Sequence, residues 1–179
     1  MRTLIRFAAF LLSAPLFAVP ANADVIYADA HGFEVRNAVP LVVSAPDALT
    51  AFTRVARWWS KGHTYSGDPA NLTLDARPGG CFCERFPKGG GIEHLRVTYV
   101  APGEELIMTG ALGPLLHEAV NGVLTVHVEK IAGGSRLTLI YRASGFANGG
   151  GDKFASTVDA MLADQLKRYR AFATGGGAR

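Results

Sequence analysis

The chain has 179 residues with 18 Lys and Arg against 15 Asp and Glu, and its first 23 residues hold two of the bases, Arg2 and Arg6, and no acid. Residues 24–179 therefore carry 16 bases against 15 acids, a balance that excludes a nucleic-acid reader built on a basic stripe. About 156 residues make one domain with a sizeable core and fall short of two.

Arg2 and Arg6, an apolar run over 7–18, Pro20 and the small-residue pattern Ala21, Asn22, Ala23 read as a secretory signal peptide over 1–23, cleaved before Asp24. The alternative is an uncleaved anchor, but the run is shorter than the roughly 20 residues a spanning helix needs. The expected product is an exported, periplasmic chain with no stable membrane anchor, a single domain over 24–179.

Strand-like stretches follow at 25–28 and 33–43, with Pro40 breaking the second or confining it to an edge. Ser44, Ala45, Pro46 and Asp47 start a helix that turns Leu49, Phe52, Val55 and Ala56 inward and ends around Trp58 to Gly62. A polar loop, 63–69, leads to an alternating strand at 72–76. After Pro78, Gly79 and Gly80, the strand 81–86 puts Phe82 and Phe86 on one face and Cys81, Cys83 and Arg85 on the other. Simple alternation in 92–100 places Leu95, Val97 and Tyr99 on one side and His94, Arg96 and Thr98 on the other.

A Pro102-Gly103 turn, a strand at 106–110 and an apolar interruption at 111–121 come next. Strands 122–130 and 136–143, joined at Gly133 and Gly134, form a hairpin. The chain ends in a helix over 152–172, where Phe154, Val158, Met161, Leu162, Gln165, Leu166, Tyr169 and Phe172 recur at spacings of three and four. One such stripe, one short helix and an antiparallel sheet with one buried face predict a two-layer α+β domain.

The order of these signals resembles the SRPBCC or START-like helix-grip superfamily. It gathers START-type lipid-transfer domains, birch-pollen-allergen-like ligand carriers, polyketide cyclases and bacterial relatives of the heat-shock-chaperone ATPase activator. The resemblance rests on Ser44 to Ala48 after the early strands, Arg77 to Gly80, Val100 to Leu106, and the terminal helix, and spans about residues 33–172. It implies a bent antiparallel sheet of about six to seven strands wrapped around the C-terminal helix, with a ligand cavity between them. An exported chain is not placed to serve an ATP-driven cytosolic chaperone. No glycine-rich loop leads into Lys-Ser or Lys-Thr, so no nucleotide partner is expected.

Cys81 and Cys83, the chain's two cysteines, share a strand face. They read as plain structural thiols, as a disulfide, or as weak metal candidates that need a third ligand such as His94. Alternate strand residues lie about 6.5–7 Å apart at Cα, the limit a disulfide tolerates. Trp58, Trp59, His63 and Tyr65 form the densest aromatic and polar cluster, either one end of a cavity or the closure of a core. The leucines Leu112, Leu115 and Leu116, beside His117 and Glu118, mark a lid or a plug for the sheet's open end.

The preferred reading is a binding protein for a small or medium hydrophobic ligand, a lipid, fatty acid or aromatic metabolite, and no cofactor is expected. Its lining candidates are Trp58, Trp59, His63, Tyr65, Tyr99, Leu112, Leu115, Leu116, Phe154, Val158 and Met161. A cyclase- or hydrolase-type enzyme using His63, His94 or His127 with a glutamate is the first alternative, and a thiol, metal-handling or interaction protein using Cys81 and Cys83 the second. Glu84, Glu93, His94, Glu118 and His127 supply acid–base groups, but no spacing brings two of them together.

Overall fold

The computed structural model describes residues 22–177, so nearly all of the signal peptide expected over 1–23 lies outside them. Among the described residues, eight strands form one antiparallel sheet: β1 (Asn22–Asp29), β2 (Gly32–Leu41), β3 (Leu72–Leu74), β4 (Cys81–Arg85), β5 (Gly91–Ala101), β6 (Glu105–Thr109), β7 (Asn121–Ile131) and β8 (Gly134–Ser144). Their spatial order is β1-β2-β8-β7-β6-β5-β4-β3, so only β2 to β8 is a non-sequential pairing. Two α-helices, α1 (Ala45–Thr53) and α2 (Gly151–Phe172), cover one face. The count exceeds the six to seven that the resemblance implies, and each strand falls on one of the strand-like stretches of the sequence, with β1 and β3 at the two edges.

Pro40 sits inside β2 opposite Arg136 of β8, and the described residues of β1 pair with β2 from Gly32 to Ala38. Ser44 caps α1 by accepting from the Asp47 amide at 3.3 Å. The helix stops at Thr53, earlier than expected, and a 3₁₀ turn at Val55–Arg57 carries the chain on to the tryptophans.

Helix α2 packs on β2 and β1, with a lighter contact on β8. Val158, Leu162, Leu166 and Tyr169 bury its apolar stripe against Val35, Val39, Leu137 and Leu139 of the sheet's inner face. Its start is fixed by a close approach: a Cβ on Gly151 would lie 2.6 Å from the Gly32 nitrogen and 2.7 Å from the Asp29 oxygen. Only glycine lets the helix begin on the β1–β2 turn. Further along, Asn37 of β2 donates to the Asp159 carboxylate at 2.8 Å, fixing the helix's rotation.

The 111–121 segment becomes a 3₁₀ turn at Gly113–Glu118, with Leu112 and Leu115 buried and Leu116 exposed. Tyr141 ties its entry down, accepting from the Leu112 amide at 3.2 Å and donating to the Gly110 carbonyl at 3.1 Å. The segment thus plugs the end of the sheet.

Cys81 and Cys83 are joined as a disulfide, with Cα atoms 5.4 Å apart. That is closer than alternate residues of a regular strand, and the β4–β5 register shifts at this point. A bridge over so few residues removes little unfolded-chain entropy, about 1.6 kcal/mol for a three-residue loop. Chain entropy alone should take about that much from the Cys81→Ser, Cys83→Ser double variant in urea unfolding, where a long-loop disulfide is worth about 3 kcal/mol or more.

Candidate functional site

Strand β4 sends Phe82 and Glu84 into the covered face, so a carboxylate points where a core side chain would be expected. Glu84 is 1% exposed and His94 is 5% exposed. The two meet at 3.1 Å, His94 Nε2 to Glu84 Oε2. Simple alternation puts His94 on the opposite side, and a bulge in β5 reverses this. Phe82 pairs with Leu95 and Cys83 with Glu93, leaving His94 without a partner and turned inward beside Leu95.

Glu84 also holds the loop that crosses this face. Its two oxygens accept from the Ser66 amide at 2.5 Å and the Tyr65 amide at 3.0 Å. Burial raises the Glu84 pKa, but the hydrogen bonds from Ser66, Tyr65 and His94 together outweigh it and hold the carboxyl below its ordinary value. Burial likewise depresses His94, against the raising influence of Glu84. At neutral pH this is a carboxylate beside a neutral imidazole, whose Nε2 carries the proton and donates it.

Both shifts make the unfolded chain the better proton acceptor, so stability rises with pH across each window. The His94 contribution is complete above the ordinary histidine value of about 6.5 and fades as pH falls below it. Urea midpoints of the wild type should therefore drop between about pH 7 and pH 5.5, and His94→Gln should flatten that stretch. An unchanged slope in the variant would assign the dependence to other groups.

The loop is built from short capped turns. Ser60 accepts from the Gly62 amide at 3.3 Å, and Asp68 accepts from Ala70 at 2.9 Å. Trp59 Nε1 donates to the His63 carbonyl at 2.9 Å, and the Ser60 amide donates to Gln165 of α2 at 2.8 Å. Beneath it a continuous aromatic wall runs from Tyr65 over His94, Phe82, Trp59 and Trp58 to Tyr169, with centroids 4.9 to 5.9 Å apart. Where the loop meets the flank of α2, a solvent-open depression of about 460 Å³ is lined by His63, Ser156, Thr157, Ala160 and Met161.

Of the residues expected to line a cavity, His63 and Met161 come together here. Trp58, Leu112, Leu115 and Val158 lie in the core, while Trp59 is half-buried and Phe154 stacks on Phe146 at 5.6 Å. Tyr65 and Leu116 are exposed. Tyr99 is 48% exposed rather than alongside Leu95 and Val97, because a second β5 irregularity, between Val97 and Tyr99, reverses the alternation. Sequence reasoning missed Ser156, Thr157 and Ala160, which lie on the helix's polar flank. It also missed the Glu84–His94 pairing, for which the signal was the i, i+2, i+4 series Phe82, Glu84, Phe86.

His127 stands apart near Glu105 at 3.7 Å on an exposed part of the sheet. The two cysteines are disulfide-bonded in this structure. The Glu93 carboxylate lies within 4.8 Å of both sulfurs, but sulfurs bonded to each other offer no thiolate, and His94 faces the other side.

No protein-family model and no curated protein matches the chain. Solved structures do resemble it. CalU16 from Micromonospora echinospora superposes with a TM-score of 0.58 at 11% identity, covering 86% of this chain and 84% of that one. The Aha1 dimer from Colwellia psychrerythraea gives 0.56 at 15% identity, covering 80% and 97%. DynU16, from the dynemicin biosynthetic locus, gives 0.55 at 21% identity over 82% of this chain and 49% of its own. At these identities the likeness establishes the architecture: a helix-grip fold, with an open antiparallel sheet holding a long C-terminal helix.

Proposed function

We propose that the chain is an exported, periplasmic member of the SRPBCC or START-like superfamily that binds a small or medium hydrophobic ligand. The observation that carries this is the depression of about 460 Å³ between the 60–68 loop and α2. Met161 and Ala160 supply apolar surface, while His63, Ser156 and Thr157 supply groups for a polar end. Trp59 and Tyr65 are the next side chains a ligand would meet if it wedged the loop outward. Phe154 lies less than one turn of α2 before Ser156, while Leu112, Leu115 and Leu116 belong to the 3₁₀ segment after β6.

Native mass spectrometry of the protein purified from the periplasm, repeated after denaturation, tests the reading. A non-covalent mass lost on unfolding is expected. Ala160→Trp, which fills the depression, should cut that occupancy at least about tenfold, the effect of losing roughly 1.4 kcal/mol of binding. Tyr99→Ala, elsewhere on the sheet, should leave it unchanged. Equal occupancy in the wild type and Ala160→Trp would move the ligand elsewhere, and a bare polypeptide throughout would remove the carrier reading.

A histidine within 3.1 Å of a glutamate also favours a second reading, a cyclase- or hydrolase-type enzyme. It ranks below the first because Glu84 is saturated by two amides and an imidazole, and both side chains are enclosed.

A further inference from the structure

We propose that the Cys81–Cys83 disulfide is a redox-active site, open to exchange with dithiols, whose state sets whether the Tyr65–Ser66 loop is held over the sheet. Four linked observations lead from the sulfurs to the loop. The bridge holds the two Cα atoms 5.4 Å apart, shorter than regular strand spacing. At the same place the β5 partner strand carries one extra residue, His94. That bulge is what turns His94 inward onto Glu84 at 3.1 Å. Glu84, in turn, is the acceptor for the Tyr65 and Ser66 amides.

Both cysteines are partly exposed, on the face away from the aromatic wall, so a thiol can approach without opening the core. In the exchange, a thiolate of an external dithiol attacks one sulfur and the Cys81–Cys83 bond breaks, leaving a mixed disulfide and one cysteine thiolate. The dithiol's second thiolate closes on its own partner sulfur and releases the other cysteine. The dithiol ends as its disulfide, and Cys81 and Cys83 gain two electrons and, once neutral, two protons.

Reduction frees β4 to lengthen to ordinary strand spacing and to pair with β5 residue for residue. An unbulged β5 has His94 facing away from Glu84, as plain alternation requires. The carboxylate then loses its imidazole, and the loop loses the fixed acceptor that secures its two amides. The loop bounds the depression assigned to ligand, so the inference deepens that function, but its test needs no ligand.

Amide hydrogen exchange on the whole exported chain, oxidised and then reduced with dithiothreitol, is the test. Protection of the Tyr65 and Ser66 amides should fall at least about tenfold on reduction, with β8 amides such as Leu137 and Leu139 unchanged. The Cys81→Ser, Cys83→Ser variant should reproduce the reduced pattern without reductant. Equal protection of Tyr65 and Ser66 in both states would overturn the inference, as would a uniform loss across β8, which signals global loosening. A disulfide that survives dithiothreitol in the folded protein would overturn it too. None of these outcomes depends on whether the depression holds a ligand.

Discussion

Glu84→Ala is expected to destabilise the protein by about 3–5 kcal/mol, the scale of leaving three enclosed hydrogen-bond donors without their acceptor. Three donors converge on the carboxylate: the Ser66 amide at 2.5 Å, the Tyr65 amide at 3.0 Å and His94 Nε2 at 3.1 Å. Alanine leaves all three without an acceptor in a place that is 1% exposed. Each unsatisfied buried polar group costs about 1–3 kcal/mol, and water entering the gap recovers part of the total. Glu84→Gln should fall between, since its one carbonyl oxygen accepts while its NH₂ group faces donors. Urea unfolding at pH 7 reads the difference. A loss of about 1 kcal/mol or less would mean that water takes the place of the carboxylate at all three donors.

The loss should also be local in its signature. Tyr65 and Ser66 sit on a loop with no ladder of its own, so losing Glu84 should release the loop before the sheet. Single-residue amide exchange should show the 60–68 segment opening with little change in β7 and β8. That separation follows from the topology, because β7 and β8 pair along their full lengths, Asn121 to Ile131 against Gly134 to Ser144.

Much of this architecture was legible in the sequence because it is written in period. The stripe from Phe154 to Phe172 locates α2 to within one residue of its observed start at Gly151, and the glycines before it mark the close approach to Gly32. Alternation found the strands, but it assumes a constant period of two, and β5 breaks that period twice. Each break moves one informative side chain: His94 goes in and Tyr99 goes out. A bulge in a single sequence has no compositional mark comparable to a turn glycine. The Glu84–His94 pair was hidden for that reason, although Glu84 lay in plain phase with Phe82. The depression was half legible: His63 and Met161 follow from aromatic density and helical spacing, whereas Ser156, Thr157 and Ala160 look like ordinary solvent-facing helix.

Trp58→Ala is expected to cost about 3–5 kcal/mol, as for other buried tryptophans, and Trp59→Ala less. Trp58 is 4% exposed, its Nε1 donates to the Phe52 carbonyl at 3.2 Å, and its ring packs on Phe52 at 5.1 Å and Tyr169 at 5.4 Å. It therefore joins α1 to α2, and its loss opens a cavity between two elements that cannot close independently. Trp59 is half-buried and holds the loop through the His63 carbonyl at 2.9 Å. Continued helical periodicity would assign these roles the other way, since Trp59 falls seven residues after Phe52 and hence on its face. The break after Thr53 and the 3₁₀ turn at Val55–Arg57 shift the phase and send Trp58 inward instead. Urea midpoints of the two alanine variants decide the point: a larger loss at Trp59 would mean that the α1 phase runs through to the loop. The predicted order makes Trp58 the hinge pin of the core and leaves Trp59 free to report, by its fluorescence, on whatever enters beside His63.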